Sequence, residues 1–249
     1  MASLELRLQT LRRAVLAFRD TPGRHGRLVQ LDDASDLLVA GDMHGNVDNF
    51  RRLLTIADLA KLPRRHLVVQ ELIHGPFAYP AGGDKSHQLV DLVCALKCQY
   101  PARVHYLIGN HELAQLTERK VLKADVDLND EFRRGVAMAY GTSADAVYEV
   151  YCQLFAALPF AVRTANRLFL SHSLPSAARL QEFAVEAFTD DPTPESAIVS
   201  GGPLYAVVWG RDARAETVDE YLRKVDADVL VSGHIPCPDR GFTGRRRGT

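Results

Sequence analysis

Cysteine is scarce in this chain: among 249 residues only Cys94, Cys98, Cys152 and Cys237 occur, with no Cys-x-x-Cys spacing between them. A disulfide-stapled scaffold is therefore excluded, since a chain of this length supplies its own core, and the thiols are read as reduced in a cytoplasmic protein. Cys94 and Cys98, four apart on an expected helix, are small buried apolar side chains rather than a soft metal site. Long apolar runs are also missing. Nothing approaches the roughly 20 consecutive apolar residues of a membrane span or the uninterrupted core of a signal peptide, so neither export nor a membrane partner is expected. Nor does one sign of charge dominate. Thirty basic residues against thirty-one acidic ones leave a formal charge of −1, which argues against a nucleic-acid partner held by a global field. No internal repeat or low-complexity tract is visible.

What is present is a regular alternation of helix and strand patterns. Leu4, Leu8, Leu11, Val15 and Phe18 recur at spacings of three and four among Glu5, Arg7, Arg12, Arg13 and Arg19, which predicts an amphipathic helix over residues 1–20. With the Pro22-Gly23 break and the linker to residue 30, this forms an N-terminal segment, and residues 31–249 form one α/β domain. Short apolar runs at 37–40, 66–69, 104–108, 167–170 and 229–232 read as strands, and residues 47–60, 88–99, 112–140, 145–157 and 217–225 read as helices. Residues 175–200 read as a loop or a peripheral helix pair. Such alternation implies crossover connections and a mainly parallel sheet covered on both faces.

Six residues stand just beyond those strands: Asp42, His44, Glu71, Asn110, His172 and His234. Ligands in open α/β sheets bind outside the carboxyl ends of the strands. Oxygen and imidazole donors delivered there suit two divalent ions about 3.5–4 Å apart, the arrangement of metal-assisted phosphoryl chemistry. Singly, each has a plainer role: Asp42 and Asn110 fit as helix caps, and the histidines as satisfied, partly buried groups. Jointly the caps and satisfied histidines are a poor account, because independent accidents do not gather at one sheet edge.

The motifs Gly41-Asp42-Met43-His44-Gly45, Gly109-Asn110-His111-Glu112, the stretch around Ser171-His172, and Ser232-Gly233-His234 resemble those of the calcineurin-like metallophosphoesterases, closest to the phosphoprotein Ser/Thr phosphatase branch. The resemblance spans about residues 37–242. It implies a layered α/β/β/α sandwich with mixed sheets flanked by helices, incomplete at the C-terminal edge. It implies two divalent metal ions, Mn²⁺ first with Fe or Zn²⁺ as alternatives. Asp42 and His44 would ligate one ion, Asn110, His172 and His234 the other, and Glu71 would bridge them. A hydroxide between the ions would attack phosphorus, with His111 as general acid. The implied activity is hydrolysis of phosphate monoesters, on a phosphoprotein or a small phosphoester. A dinucleoside-polyphosphate hydrolase and a catalytically impaired metal-binding scaffold are the alternatives, and the oligomeric state stays open.

The departures cluster in one segment, Gln70-Glu71-Leu72-Ile73-His74-Gly75, where the family carries Gly-Asp-x-x-Asp-Arg. Glu71 is one methylene longer than the expected bridging Asp. His74 replaces the carboxylate that orients the general acid, and a neutral imidazole cannot stabilise a protonated partner as a carboxylate does. Gly75 removes a phosphate-gripping arginine, and Arg211 is the candidate replacement in substrate binding, with a solvated surface arginine as the equal alternative. Residues 76–80 form an inserted loop whose Phe77 and Tyr79 either touch substrate or pack onto the domain. Glu112 is expected to fix the local loop by an ion pair, and His25, His66, His87 and His105 to be structural or surface groups. The run 245–247 of three arginines reads as a solvated end or a phosphate-attracting tail.

Overall fold

The computed structural model describes residues 2–34, 36–193 and 195–236. Cys237 and the arginine run 245–247 lie outside the described residues. In chain order the elements are α1 (Ala2–Arg19), β1 (Arg24–His25), β2 (Leu28–Leu31), β3 (Asp36–Asp42), α2 (Val47–Ala57), β4 (Arg65–Gln70), α3 (His87–Gln99) and β5 (Val104–Leu107). There follow α4 (Asn110–Leu116), β6 (Leu122–Lys123), β7 (Val126–Asp127), α5 (Leu128–Tyr140), α6 (Ala144–Ala157), β8 (Ala161–Thr164) and β9 (Leu168–Ser171). The last are α7 (Ala177–Leu180), α8 (Glu195–Ile198), α9 (Pro203–Trp209), α10 (Ala215–Lys224) and β10 (Val229–Val231). No described helix is long and apolar enough to cross a membrane.

The chain divides into two compact units. The first comprises Met1–Thr21, Ser35–Tyr106 and His111–Leu158, and is built on the sheet β3-β4-β5. β3 pairs with β4 in parallel, Leu37 opposite His66 and Val39 opposite Val68, and the register then slips so that Asp42 faces Gln70. Without the slip Asp42 would face Glu71; with it, Glu71 is the residue that follows Asp42's partner. Leu8, Leu11, Val15 and Phe18, one helical face, are buried as α1 packs on α3 and α6. Full burial of such side chains contributes about 1.5–3 kcal/mol each. Lys97 of α3 is itself fully buried, where Nζ donates to Thr21 Oγ1 (2.8 Å), Pro101 O (2.5 Å) and Val104 O (2.9 Å). His66 and His105, from adjacent strands, are buried in a stacked pair with a 3.0 Å N···N contact, the structural role expected of them.

The second unit comprises Pro22–Ala34, Leu107–Asn110 and Pro159–Thr249, with a sheet in the order β1-β2-β8-β9-β10. β2 runs parallel to β8, β8 antiparallel to β9, and β9 parallel to β10. In the last pair Val231 lies opposite Leu170. The register therefore carries Gly233 to His172, whose carbonyl accepts the Gly233 N–H at 3.1 Å.

Two expectations need correction. The alternation alone implied one mainly parallel sheet, whereas the strands form more than one and the five-stranded sheet mixes directions, because β1, β2 and β8, unmarked by long apolar runs, extend it beyond β9; mixed sheets are what the resemblance implied. Residues 112–140 are mainly helical, as read, but not continuously so: α4 stops at Leu116 and the hairpin β6–β7 intervenes before α5. Its two-residue turn is made by Ala124 and Asp125 at φ 48° and 64°, positive values typical of tight hairpins but here without the Asn-Gly signature that reveals them. The stretch 175–200, read as a loop or a peripheral helix pair, contains the short helices α7 and α8.

Candidate functional site

In the first unit, Asp42 at the end of β3, His44 two residues on, and Glu71 just past β4 place one ligand atom each within 4.8 Å of one another. The cap of α2 is supplied by Asn46, whose Oδ1 accepts the Asn49 N–H at 2.9 Å, so Asp42 is not spent on that task. His44 Nδ1 lies 3.0 Å from Ile73 O. Facing a carbonyl, Nδ1 must carry the hydrogen, which leaves the Nε2 lone pair available as a metal donor. That Nε2 is 3.7 Å from Glu71 Oε1. Two carboxylates and a correctly poised imidazole suit a divalent ion such as Mn²⁺, Fe²⁺ or Zn²⁺.

The backbone here is strained. His44, Glu71 and His74 adopt φ of 42°, 46° and 60°, a region that costs non-glycine residues of order 1–3 kcal/mol. Hydrogen bonds hold it in place. Glu71 O accepts from Met43 N and His44 N, both at 2.9 Å, and Leu72 O from Gly45 N at 2.7 Å. Buried Glu112 Oε1 accepts from Leu72 N (2.8 Å), Ile73 N (3.1 Å) and Tyr106 OH (2.7 Å). Glu112 thus fixes the loop, with backbone N–H groups and a phenol as donors. Burial, and then the nearby Glu71 charge, push its carboxyl pKa up.

His111 and His74 meet at 2.6 Å between their Nδ1 atoms, and His111 Nε2 is 3.2 Å from Glu71 Oε1. His74 Nε2 lies 3.0 Å from Gln115 Oε1, while Gln115 Nε2 donates to Tyr148 OH at 2.6 Å. An amide oxygen can only accept, so His74 carries its hydrogen on Nε2 and offers the Nδ1 lone pair to the His111 Nδ1–H. Burial lowers the His74 pKa to about 4, against the opposing effect of the hydrogen bond it donates to Gln115, so the ring is neutral near pH 7. Gln115 was not singled out from sequence. The usable signal was its position four residues after His111 on α4, which puts both side chains on one helix face. A cavity of about 530 Å³ opens beside these imidazoles.

Gly75 explains its own missing arginine. A Cβ there would sit 2.2 Å from His44 O, so no side chain fits without moving the backbone of a candidate ligand. Tyr79 of the inserted loop packs down, its ring stacked on His87 with a 2.9 Å contact between Tyr79 OH and His87 Nε2, while Phe77 stays 46% exposed and lines the cavity.

The second unit has its own cluster. Asn110, His172 and His234 are all buried; His172 Nε2 lies 3.0 Å from Asn110 Oδ1, and the rings of His172 and His234 are 5.0 Å apart. The parallel β9–β10 register delivers the two histidines to one sheet edge. His234, at φ 63°, has its carbonyl held by Arg211 Nη1 at 2.9 Å. Arg211 therefore braces this turn, whatever else its guanidinium contacts.

Comparisons with known proteins agree with this picture. A probable serine/threonine-protein phosphatase of Encephalitozoon cuniculi is 26% identical over 228 residues, which cover 85% of this chain and 45% of that protein. A PP2A-like serine/threonine-protein phosphatase of Candida albicans is 30% identical over 161 residues, 64% of this chain and 34% of that one. The chain thus spans less than half the length of these relatives. Among solved structures, a serine/threonine phosphatase from Saccharomyces cerevisiae with similarity to human PP5 superposes with a TM-score of 0.67 at 16% identity, over 94% of this chain and 71% of that one. A cold-active protein-tyrosine phosphatase from a Shewanella species gives 0.58 at 14%, over 85% and 68%. These two likenesses show the fold, mixed α/β with several sheets. Finally, a sequence model described as calcineurin-like phosphoesterase matches residues 36–238: with most of its length so matched, the chain belongs to the calcineurin-like phosphoesterase family.

Proposed function

We propose that this phosphoesterase hydrolyses phosphate monoesters, in the manner of the Ser/Thr phosphoprotein phosphatases, with two divalent metal ions, Mn²⁺ first among them. The observation that carries this reading is the donor set Asp42, His44 and Glu71 beside a His74–His111 pair at 2.6 Å. Asp42, His44 and Glu71 would hold one ion, and Asn110, His172 and His234 the other. When bound, such ions withdraw charge from the phosphate oxygens and acidify a water to act as nucleophile. His111 does the proton work. Its Nδ1–H donates to neutral His74, which fixes the ring, and Nε2–H is left to protonate the departing alkoxide. His74 does this through an atom two bonds from Cβ, as an aspartate oxygen would be, so the imidazole reproduces the position of the usual carboxylate without its charge. Arg211 is the proposed phosphate contact. Cys94, Cys98 and Cys152 are free thiols among the described residues, and the cytoplasm is the compartment proposed from the sequence.

The test is metal analysis together with turnover of an aryl phosphate, a phosphopeptide, a phosphodiester and a dinucleoside polyphosphate. Mn²⁺-dependent release of phosphate, lost in His111→Asn with metal content retained, is the expected result. Two bound metals with no turnover of any of the four would replace this reading with that of a metal-binding scaffold, which His74 and Gly75 favour.

A further inference from the structure

We propose that the cavity beside His111 receives the alcohol half of the ester and selects an aromatic alcohol that carries no positive charge. This rests on the phosphoesterase reading. A general acid must lie within hydrogen-bond reach of the oxygen it protonates. Since His44, His74 and His111 form one side of the cavity, the carbon skeleton attached to that oxygen enters it. The volume of about 530 Å³ falls in the range of small-molecule sites, far more than an ethyl group needs. Apart from Asn46 and Lys123, the rest of the lining is apolar: Met43, Pro76, Phe77, Val121, Leu122 and Leu128.

None of the lining residues is Asp or Glu, and Lys123 is the one Lys or Arg among them. A cationic alcohol would find no carboxylate among these residues and would be repelled by Lys123, whereas a neutral or anionic one would not be opposed.

Both walls are built firmly. In the inserted loop, Lys85 N donates to Phe77 O (2.8 Å), Gly83 N to Glu131 Oε2 (2.8 Å) and Asp84 N to Glu131 O (2.8 Å). Asp84 carboxylate oxygens accept from Ser86 N (2.8 Å), Ser86 Oγ (2.6 Å) and Gly75 N (3.2 Å), tying that loop to the turn that carries His74. The other wall is the tight hairpin β6–β7. Phe77 and Leu122 are nonetheless 46% and 64% exposed. Two large exposed apolar side chains lining a cavity gain by covering a flat ring.

The experiment compares naphthylmethyl phosphate, ethyl phosphate and phosphocholine on the Mn²⁺-loaded protein and on a Phe77→Ala, Leu122→Ser double variant; choline is the most acidic of the three alcohols, so leaving-group ability alone would favour phosphocholine. Both positions are surface-exposed, and circular dichroism verifies folding. The naphthylmethyl ester should exceed the others in kcat/KM by about tenfold or more, and that ratio should fall at least about fivefold in the double variant. In parallel, naphthylmethanol is titrated by fluorescence into protein treated with chelator; saturable binding, weakened in the variant, is expected. Turnover with a ratio near one, or a ratio the variant leaves unchanged, overturns the cavity assignment and leaves the phosphoesterase reading standing. Absence of turnover on every ester overturns the phosphoesterase reading, and the naphthylmethanol titration then decides the cavity: binding lost in the variant supports it, and no binding, or equal binding, refutes it.

Discussion

Replacing His74 by aspartate tests the least usual feature of the site. The ring is 7% exposed and its Nδ1 touches His111 Nδ1 at 2.6 Å. An aspartate Oδ stands the same two bonds from Cβ, so the contact with His111 is kept while its charge changes from zero to −1. Aspartate also accepts the positive φ of 60° more readily than most residues. A carboxylate against an imidazolium raises the imidazolium pKa by about 1–3 units; His111 is 17% exposed on its side chain, so about 1–2 units is the expected shift. The sign follows from charge: the protonated acid is stabilised, and the descending, high-pH limb of the pH–rate curve moves to higher pH by that amount. The substitution also strips Gln115 Oε1 of its donor, a penalty of about 1–3 kcal/mol in stability. The assay is a pH profile of kcat on an aryl phosphate, with NMR titration of the histidine ring protons as a readout that needs no turnover. A folded variant whose limb and His111 titration both stay within about 0.3 unit of the parent would show that the 2.6 Å pair does not govern the proton donor.

Three further outcomes follow from the geometry. Gly75→Arg, which restores the family's residue, should not restore phosphate binding: its Cβ falls 2.2 Å from His44 O, so stability should drop by about 1–3 kcal/mol, and a gain in substrate affinity would refute the steric account. Burial lowers both His74 and His87 to a pKa of about 4. In the unfolded chain each binds its proton near pH 6.5, so the stability they confer is complete above that pH and lost as pH falls toward about 4, by about 3 kcal/mol apiece; urea denaturation across this window should show a shallower slope in His87→Gln, and an unchanged slope would count against the assignment. Lys97→Met leaves Thr21 Oγ1, Pro101 O and Val104 O without their shared donor, and should cost about 3 kcal/mol, or about 6–12 °C in Tm; calorimetry showing no loss would mean that water replaces the ammonium.

The family's motifs were legible because each is a short run of chemically distinctive residues at a strand end. Asp42, His44, Asn110, His172 and His234 could all be picked out by such placement. Short elements were not legible. β2 and β8 are four residues each, and the β6–β7 hairpin hides inside a helical pattern because Ala124 and Asp125 make its turn without glycine. The backbone N–H groups that the Glu112 carboxylate accepts lie 39 and 40 residues away in sequence, so spacing gave no sign of them.

Local sequence by itself determined the alternation of helices and strands and the choice of residues at their ends, since periodicity and donor type are properties of neighbouring side chains. Only tertiary structure decided which of those residues work together. The tautomer of His44 depends on the carbonyl of Ile73, that of His74 on the amide of Gln115, and the emptiness of position 75 on the backbone of His44. Hydrogen-bond direction and steric exclusion are set by atoms that chain folding brings close, and no spacing along the chain encodes them.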